Sequence, residues 1–197
     1  MLEGKWATME DFATLFQYLW YQDFPISRQG TIGARQADWT KHIDRVIGNI
    51  ANLTGFVVRF EAGGRTDAIL RSTDGNEVAV EWEWGGGWNE ELNKLKEHKK
   101  LWRKDKEGLK YAVLITYTDD IKNYCEQTEG IWKDPQWPLL LILVKEEKVS
   151  KKKLSSGREF EEIRMYRFEK NKPEELIRAA KALPWEVAGT RWSYEIK

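Results

Sequence analysis

Apolar residues recur along this chain at the spacing of helices in some segments and of strands in others. An apolar stripe through Ile43, Val46 and Ile50 predicts one helix, and His42 lies off that stripe and is expected at the surface. Helical spacing predicts helices over residues 9–21, 38–53, 89–106 and 173–183, and a further helical turn that begins at residue 119. The helix over residues 89–106 is strongly basic on the side away from its leucines.

A β-hairpin is predicted over residues 65–84. The turn residues Asp74 and Gly75 separate two runs rich in β-branched and apolar residues, which is a strong local signal for a hairpin. Side chains alternate between the two faces of a strand. One face of the second arm is therefore apolar and expected in the core, whereas Glu77, Ala79, Glu81 and Glu83 share the other face. Further strands are predicted over residues 56–61, 110–117, 139–144 and 160–168.

These elements predict a mixed α/β fold in one domain of 197 residues. Short turns join the first three strands, so an antiparallel meander is expected. The apolar strand over residues 110–117 follows a helix, and we expect it to lie parallel to the second arm of the hairpin. The predicted core of helix, three strands, helix and strand covers about residues 38–117. An N-terminal helix precedes it, and residues 118–197 form a C-terminal elaboration with further strands and a helix.

Composition narrows the possible functions. The chain is 41% hydrophobic and 32% charged, and its 32 Lys and Arg residues balance 32 Asp and Glu residues. Any basic surface must therefore come from local segregation of charge. The single cysteine, Cys125, excludes an intrachain disulfide and a zinc site made of thiolates. Neither a signal-peptide pattern nor a membrane-length apolar run is present, so a cytoplasmic location away from membranes is expected.

Three acids are predicted to gather at the open end of the hairpin. Asp67 is near the start of the first arm, and Glu81 and Glu83 are near the end of the second. Carboxylates packed together repel one another unless a cation or protons neutralise them. Their oxygens suit a hard divalent ion such as Mg²⁺ or Mn²⁺. The alternative is that they are solvated charges on the outer face of an edge hairpin.

The order of elements and the position of these acids resemble the PD-(D/E)xK nuclease superfamily, which has the restriction-endonuclease-like fold. Asp67 matches the acid at the start of the second core strand of that family, and Glu81-Trp82-Glu83 matches its (D/E)-x-K element, 14 positions later. Two residues depart from the pattern: Thr66 precedes Asp67, and Glu83 stands at the lysine position. Some restriction enzymes of the superfamily carry Glu-x-Glu there.

In other members of the superfamily the lysine has moved to the following helix, where this chain offers Lys94 and Lys96. The resemblance implies a metal-dependent DNA endonuclease, similar to type II restriction enzymes, that uses Mg²⁺ or Mn²⁺, works as a homodimer and needs no organic cofactor. It also implies that Asp67, Glu81 and the backbone carbonyl of Trp82 hold the metal ion. Glu83 would orient or deprotonate the attacking water.

DNA would be held by basic residues outside this motif, because phosphate contacts come mainly from Lys and Arg. The candidates are Arg28, Arg35, Lys94, Lys96 and Lys99. Two alternatives from other functional classes stay open. The chain is either a catalytically inactive nuclease fold that binds nucleic acid or protein, or a carboxylate metal enzyme that acts on small phosphorylated substrates. Glu83 at the lysine position and the balanced net charge motivate the first alternative.

Overall fold

The fold is a seven-stranded mixed sheet with helices on both faces. The computed structural model describes residues 7–22, 24–25, 36–62, 66–84, 86–97, 109–146 and 160–188. The helices are α1 (Met9–Gln22), α2 (Gln36–Thr54), α3 (Trp88–Lys96) and α4 (Ile121–Ile131). The strands are β1 (Val57–Ala62), β2 (Thr66–Arg71), β3 (Glu77–Glu83), β4 (Leu109–Thr118), β5 (Leu139–Glu146), β6 (Phe160–Phe168) and β7 (Glu175–Lys181), and a short 3₁₀ turn, Pro184–Glu186, follows.

The strands lie side by side in the order in which they occur along the chain. β1, β2 and β3 are antiparallel, β3, β4 and β5 are parallel, and β5, β6 and β7 are antiparallel again. The predicted meander, and the parallel pairing of the fourth strand with the second hairpin arm, are both confirmed. The C-terminal strands do not build a separate sheet, because β5, β6 and β7 extend the same one.

The predicted hairpin is present, with its turn at Asp74 and Gly75. Gly75 has a φ of +87°, a conformation that glycine adopts without strain. The N–H of Ser72 donates to the carbonyl of Asn76 at 3.1 Å and closes the loop. Beyond the loop, β2 and β3 pair from Arg71 opposite Glu77 to Ala68 opposite Val80. The register therefore places Asp67 opposite Glu81 at the open end of the hairpin.

Both faces of β3 are buried, although the sequence predicted a core on only one of them. Val78 and Val80 face the core beneath α1 and α2, and Ala79 faces a second core formed with α3 and α4. Glu77 and Glu81 share the face of Ala79 and are 2% and 0% exposed. These two carboxylates are thus not solvated charges on the outside of the sheet.

The larger core contains a cluster of aromatic rings drawn from α1, α2, β4 and β6, together with Trp84 just after β3. His42 was predicted at the surface, and this is wrong: it is 2% exposed, and its ring centroid lies 4.9 Å from that of Trp20. Trp39 from α2 and Phe160 from β6 pack edge to face beside them. Trp84 stacks on Tyr117 with their ring centroids 3.7 Å apart. Aromatic residues from α1 and the sheet thus widen the buried face of α2 beyond its aliphatic stripe.

The helix predicted over residues 173–183 is wrong, because this segment forms strand β7 on the edge of the sheet. It pairs antiparallel with β6, from Arg167 opposite Glu175 to Glu162 opposite Lys181. The Arg178 guanidinium bonds Gln17 and Thr14 of α1, which fixes the strand against that helix. The helix predicted over residues 89–106 is described only as α3, and its more basic second half lies outside the described residues.

None of the helices in the described part of the chain is long and apolar enough to cross a membrane.

Candidate active site

Hydrogen bonds between side chain and backbone connect Asp67 on β2 with Glu81 and Trp82 on β3. The N–H of Asp67 donates to Oε2 of Glu81 at 3.2 Å. In return, the N–H of Trp82 donates to Oδ2 of Asp67 at 2.9 Å. Regular pairing of β2 with β3 ends one residue earlier, at Ala68 opposite Val80. The carboxylates therefore satisfy backbone donors where the strands separate, and this holds both side chains in place.

Helix α3 adds a cation and a third acid to this pair. The ammonium of Lys94 lies 3.6 Å from Oε1 of Glu81 and also contacts the carboxylate of Glu91. Glu91 and Lys94 are three residues apart, a spacing that places side chains on the same face of a helix. The Gly-rich turn after β3 returns the chain over the sheet, so α3 delivers both residues to the open end of the hairpin. The candidate site thus consists of Asp67, Glu81, Glu91 and Lys94.

Burial dominates the electrostatics of the two central acids. Burial, together with the nearby charge of Asp67, raises the pKa of Glu81 to about 9, although the Lys94 ammonium acts in the opposite direction. The pKa of Asp67 is also raised by burial, although the hydrogen bond from the Trp82 N–H acts in the opposite direction. Without a further cation, Glu81 therefore keeps its proton near neutral pH.

The neighbouring acids also affect the pKa of Lys94, but there they stabilise the charged form. Burial acts to lower the pKa of its ammonium, but the hydrogen bond to Glu91 and the charge of Glu81 outweigh burial, and the pKa is raised. Lys94 therefore stays positively charged near neutral pH. Three carboxyl groups around one ammonium leave the site short of positive charge whenever the acids ionise.

The donor set fits a magnesium ion. Within the described part of the chain, no three His, Cys, Asp or Glu side chains are grouped so that they could hold a metal ion. Asp67 and Glu81 provide two carboxylates, and Oε1 of Glu81 is buried and accepts no hydrogen bond from the described residues. Mg²⁺ typically binds one or two carboxylates and completes its coordination with waters and substrate phosphates. Two carboxylates with one unsatisfied buried oxygen meet that requirement.

The structure places the remaining motif residues around this pair. Trp82, whose carbonyl was predicted as a ligand, directly follows Glu81, is half-buried and bonds Asp67 through its N–H. The Glu83 carboxylate lies against the turn before α3, where Oε2 would be 3.4 Å from a β-carbon added at Gly87. The backbone carbonyl of Glu83 accepts a hydrogen bond from the Thr116 hydroxyl at 2.9 Å.

The predicted DNA-contacting residues divide into three groups. Lys94 belongs to the carboxylate cluster. Lys96 instead donates to the Ile131 carbonyl at 2.6 Å, and this bond attaches α3 to the end of α4. The others, Arg28, Arg35 and Lys99, lie outside the described residues.

Lys94 was predicted as a relocated lysine, whereas Glu91 was not predicted as part of the site. The three-residue spacing between Glu91 and Lys94 places both side chains on one face of a helix, and it could have predicted their contact. Tryptophans were expected either to fill the core or to line a surface that handles bases. In the described residues, Trp20, Trp39, Trp84, Trp88, Trp132 and Trp137 are all buried.

No family model, curated protein or solved structure matches this chain.

Proposed function

We propose that this protein is a metal-dependent DNA endonuclease that hydrolyses phosphodiester bonds, built on a restriction-endonuclease-like core. The observation that carries the proposal is the Lys94 ammonium, 3.6 Å from the buried Glu81 carboxylate that is bonded to Asp67. The strand motif has Glu83 where a lysine is expected, and a lysine from the following helix reaches the same pair of acids. Two acids and a lysine at one buried point are the groups that this hydrolysis requires.

Asp67 and Glu81 would hold Mg²⁺ or Mn²⁺ through their carboxylate oxygens, with the carbonyl of Trp82 nearby in the chain. When bound, the ion makes a water nucleophilic at neutral pH and neutralises charge on the leaving oxygen. The hydrogen bonds from the Asp67 and Trp82 N–H groups hold the two carboxylates in position before substrate arrives. This preorganisation reduces the reorganisation needed during the reaction.

Lys94 would place its positive charge where negative charge develops on the phosphoryl oxygens. Glu91 supports that role, because its contact helps to keep the Lys94 ammonium protonated. Glu83 would act on the attacking water from the turn before α3. A homodimer would supply two such sites, one for each DNA strand.

Cleavage of supercoiled plasmid DNA in the presence of Mg²⁺, Mn²⁺ or EDTA tests the proposal. We expect cutting with either metal ion and none with EDTA. Glu81→Ala is expected to lower the cleavage rate by at least about 100-fold, since general acid–base and metal-holding groups typically contribute that much. Glu126→Ala, on the exposed surface of α4, is the matched control and is expected to cut like the wild type.

Two results would contradict the proposal in different ways. If Asp67→Ala and Glu81→Ala both kept full metal-dependent cleavage, the assignment of the site would be wrong. If the wild-type protein cut no DNA with any metal ion, a nuclease fold without catalytic activity would be the better explanation. That alternative is favoured by one feature of the chain, the glutamate at the lysine position of the strand motif.

A further inference from the structure

A groove of about 240 Å³ lies at the turn end of the hairpin, and it carries more positive than negative charge. Arg59 from β1 and Arg71 from β2 line it, together with the turn residues Ser72 and Thr73 and with Glu77 at its base. Among the described residues, two guanidinium groups and one carboxylate line the groove. An anion is therefore the ligand that the charges of this groove would attract.

The groove is on the same face of the sheet as the carboxylate cluster. Arg59 pairs with Ile69, and Ile69 pairs with Ala79, so these side chains share one face. Asp67 and Arg71 lie two residues either side of Ile69 and point the same way. Helix α3 packs over Ala79, whereas Arg59 on the edge strand is exposed. The cluster and the groove therefore lie on one face of the sheet, with the buried side chain of Ile69 between them.

Arg71 is oriented from below by a buried acid. Its Nε lies 3.8 Å from Oε1 of Glu77, a carboxylate that is 2% exposed, while the Arg71 side chain is 32% exposed. The terminal nitrogens of Arg71 donate to no other side chain or carbonyl in the described residues. They are thus available to a ligand, and a guanidinium matches the two-pronged geometry of a phosphate.

The spacing between the cluster and the groove suits successive phosphates of one nucleic-acid strand. Asp67 and Arg71 are four residues apart on β2, which corresponds to about 13 Å at about 3.3 Å per residue. Groups separated by this distance can contact different phosphates of the same DNA strand. Arg59 and Arg71 are diagonal neighbours on adjacent strands, about 7–8 Å apart, close enough to act on neighbouring phosphates.

We propose that Arg59 and Arg71 form a binding site for the phosphate backbone of duplex DNA, a few nucleotides from the bond that is cut, and that Glu77 positions Arg71 in it. This inference rests on the proposed function, because the phosphate at the groove and the phosphate at the cluster belong to one DNA strand. Contacts of this kind fix the position of DNA without selecting a sequence.

The test is a binding measurement that does not depend on cleavage. Fluorescence anisotropy would follow two labelled 20-base-pair duplexes of unrelated sequence, in EDTA, from 50 to 200 mM KCl. For Arg59→Gln, we expect Kd to rise about five- to tenfold on both duplexes. The slope of log K against log salt is expected to become shallower by about 0.9, the contribution of one phosphate contact.

Arg71 needs a second variant, because Arg71→Gln alone leaves Glu77 buried without its partner. The double variant Arg71→Gln/Glu77→Gln removes both charges together, and we expect it to lose affinity and salt dependence to the same extent as Arg59→Gln. Glu77→Gln alone keeps Arg71 but loses its positioning, so an intermediate loss is expected. Arg45→Gln, on the exposed side of α2 across the sheet, is the matched control and should bind like the wild type.

The outcomes separate this inference from the proposed function. Unchanged Kd and salt slope in both arginine variants would overturn the phosphate site, even if plasmid cleavage were confirmed. Loss on only one of the two duplexes would also overturn it, because it would indicate base recognition. Binding by the wild type that the variants weaken, without cleavage, would support the site and reject catalysis. A wild-type protein that binds neither duplex would overturn the inference.

Discussion

Glu77 and Glu81 lie on the same face of β3, four residues apart, and are 2% and 0% exposed. Glu77 is paired with a single guanidinium, that of Arg71. Glu81 is surrounded by two more acids, Asp67 and Glu91, and by one ammonium, that of Lys94. The residue type, strand, face and burial are the same, so the difference between the two glutamates lies only in their neighbours.

That difference decides what each glutamate can do. A buried carboxylate with one cation is a neutral pair, and such a pair positions its partner. Three carboxyl groups with one cation must keep protons or gain positive charge from outside. Glu77 is thus suited to hold an arginine, whereas Glu81 is suited to a divalent ion. The distinction predicts different responses to loss of the cation, to pH and to metal.

Removing the cation beside Glu81 is expected to have the largest effect, and that effect is on the rate of DNA cleavage. Lys94→Met is expected to lower the single-turnover rate of DNA cleavage at saturating protein by at least about 100-fold, since stabilisation of developing charge contributes on that scale. Lys122→Met, on the exposed surface of α4, is the matched control. An unchanged rate for Lys94→Met would show that Lys94 only neutralises the charge of the acids around it.

Stability should respond to pH through Glu81. Its pKa is about 9 in the folded protein, against an ordinary value of 4.5, so the folded state keeps a proton that the unfolded state loses between these limits. Stability therefore falls as pH rises through that window. In EDTA, Glu81→Gln is expected to raise the free energy of unfolding by on the order of 2–4 kcal/mol at pH 8 and to have little effect near pH 4.5.

Urea unfolding of both proteins between pH 4.5 and 8.5 would measure this. Glu77→Gln, at an equally buried position, is the matched control and is expected to give no comparable gain, since Arg71 already compensates its charge. A constant difference between Glu81→Gln and the wild type across this range would contradict the assignment of the retained proton to Glu81.

Metal binding should release the retained proton, and this is the smallest of the expected effects. Calorimetric titration of the wild type with Mg²⁺ at pH 7, in two buffers of different ionisation enthalpy, is expected to show release of about one proton per ion. Glu81→Gln should show weak binding and no release, whereas Glu77→Gln should behave like the wild type. Binding without proton release would place the metal ion elsewhere.

Sequence patterns predicted the elements that carry strong local signals. The hairpin follows from Asp74 and Gly75 between two β-rich runs, and the meander follows from its short connections. The gathering of Asp67 and Glu81 at the open end of the hairpin follows in turn, because the start of one arm lies beside the end of the other. These features are local, so nearby residues contain the information.

The errors and omissions arise where a distant segment decides the outcome. Residues 173–183 contain Ala and Glu, which favour a helix, yet β6 presents an open edge that recruits them as a strand. His42 is polar and lies off the aliphatic stripe, but rings from α1 and the sheet surround it. Glu91 joins the carboxylates only because α3 folds back over β3.

The sequence by itself determined the mixed α/β class, the hairpin and the gathering of acids at its open end, because alternation and turn chemistry act over a few residues. Only the tertiary structure decided that both faces of β3 are buried and that Lys94 and Glu91 reach Glu81 while Arg71 reaches Glu77. The burial of a carboxylate and the charges around it come from residues that are distant in the chain. Both decide whether the carboxylate is ionised, and therefore what chemistry it can perform.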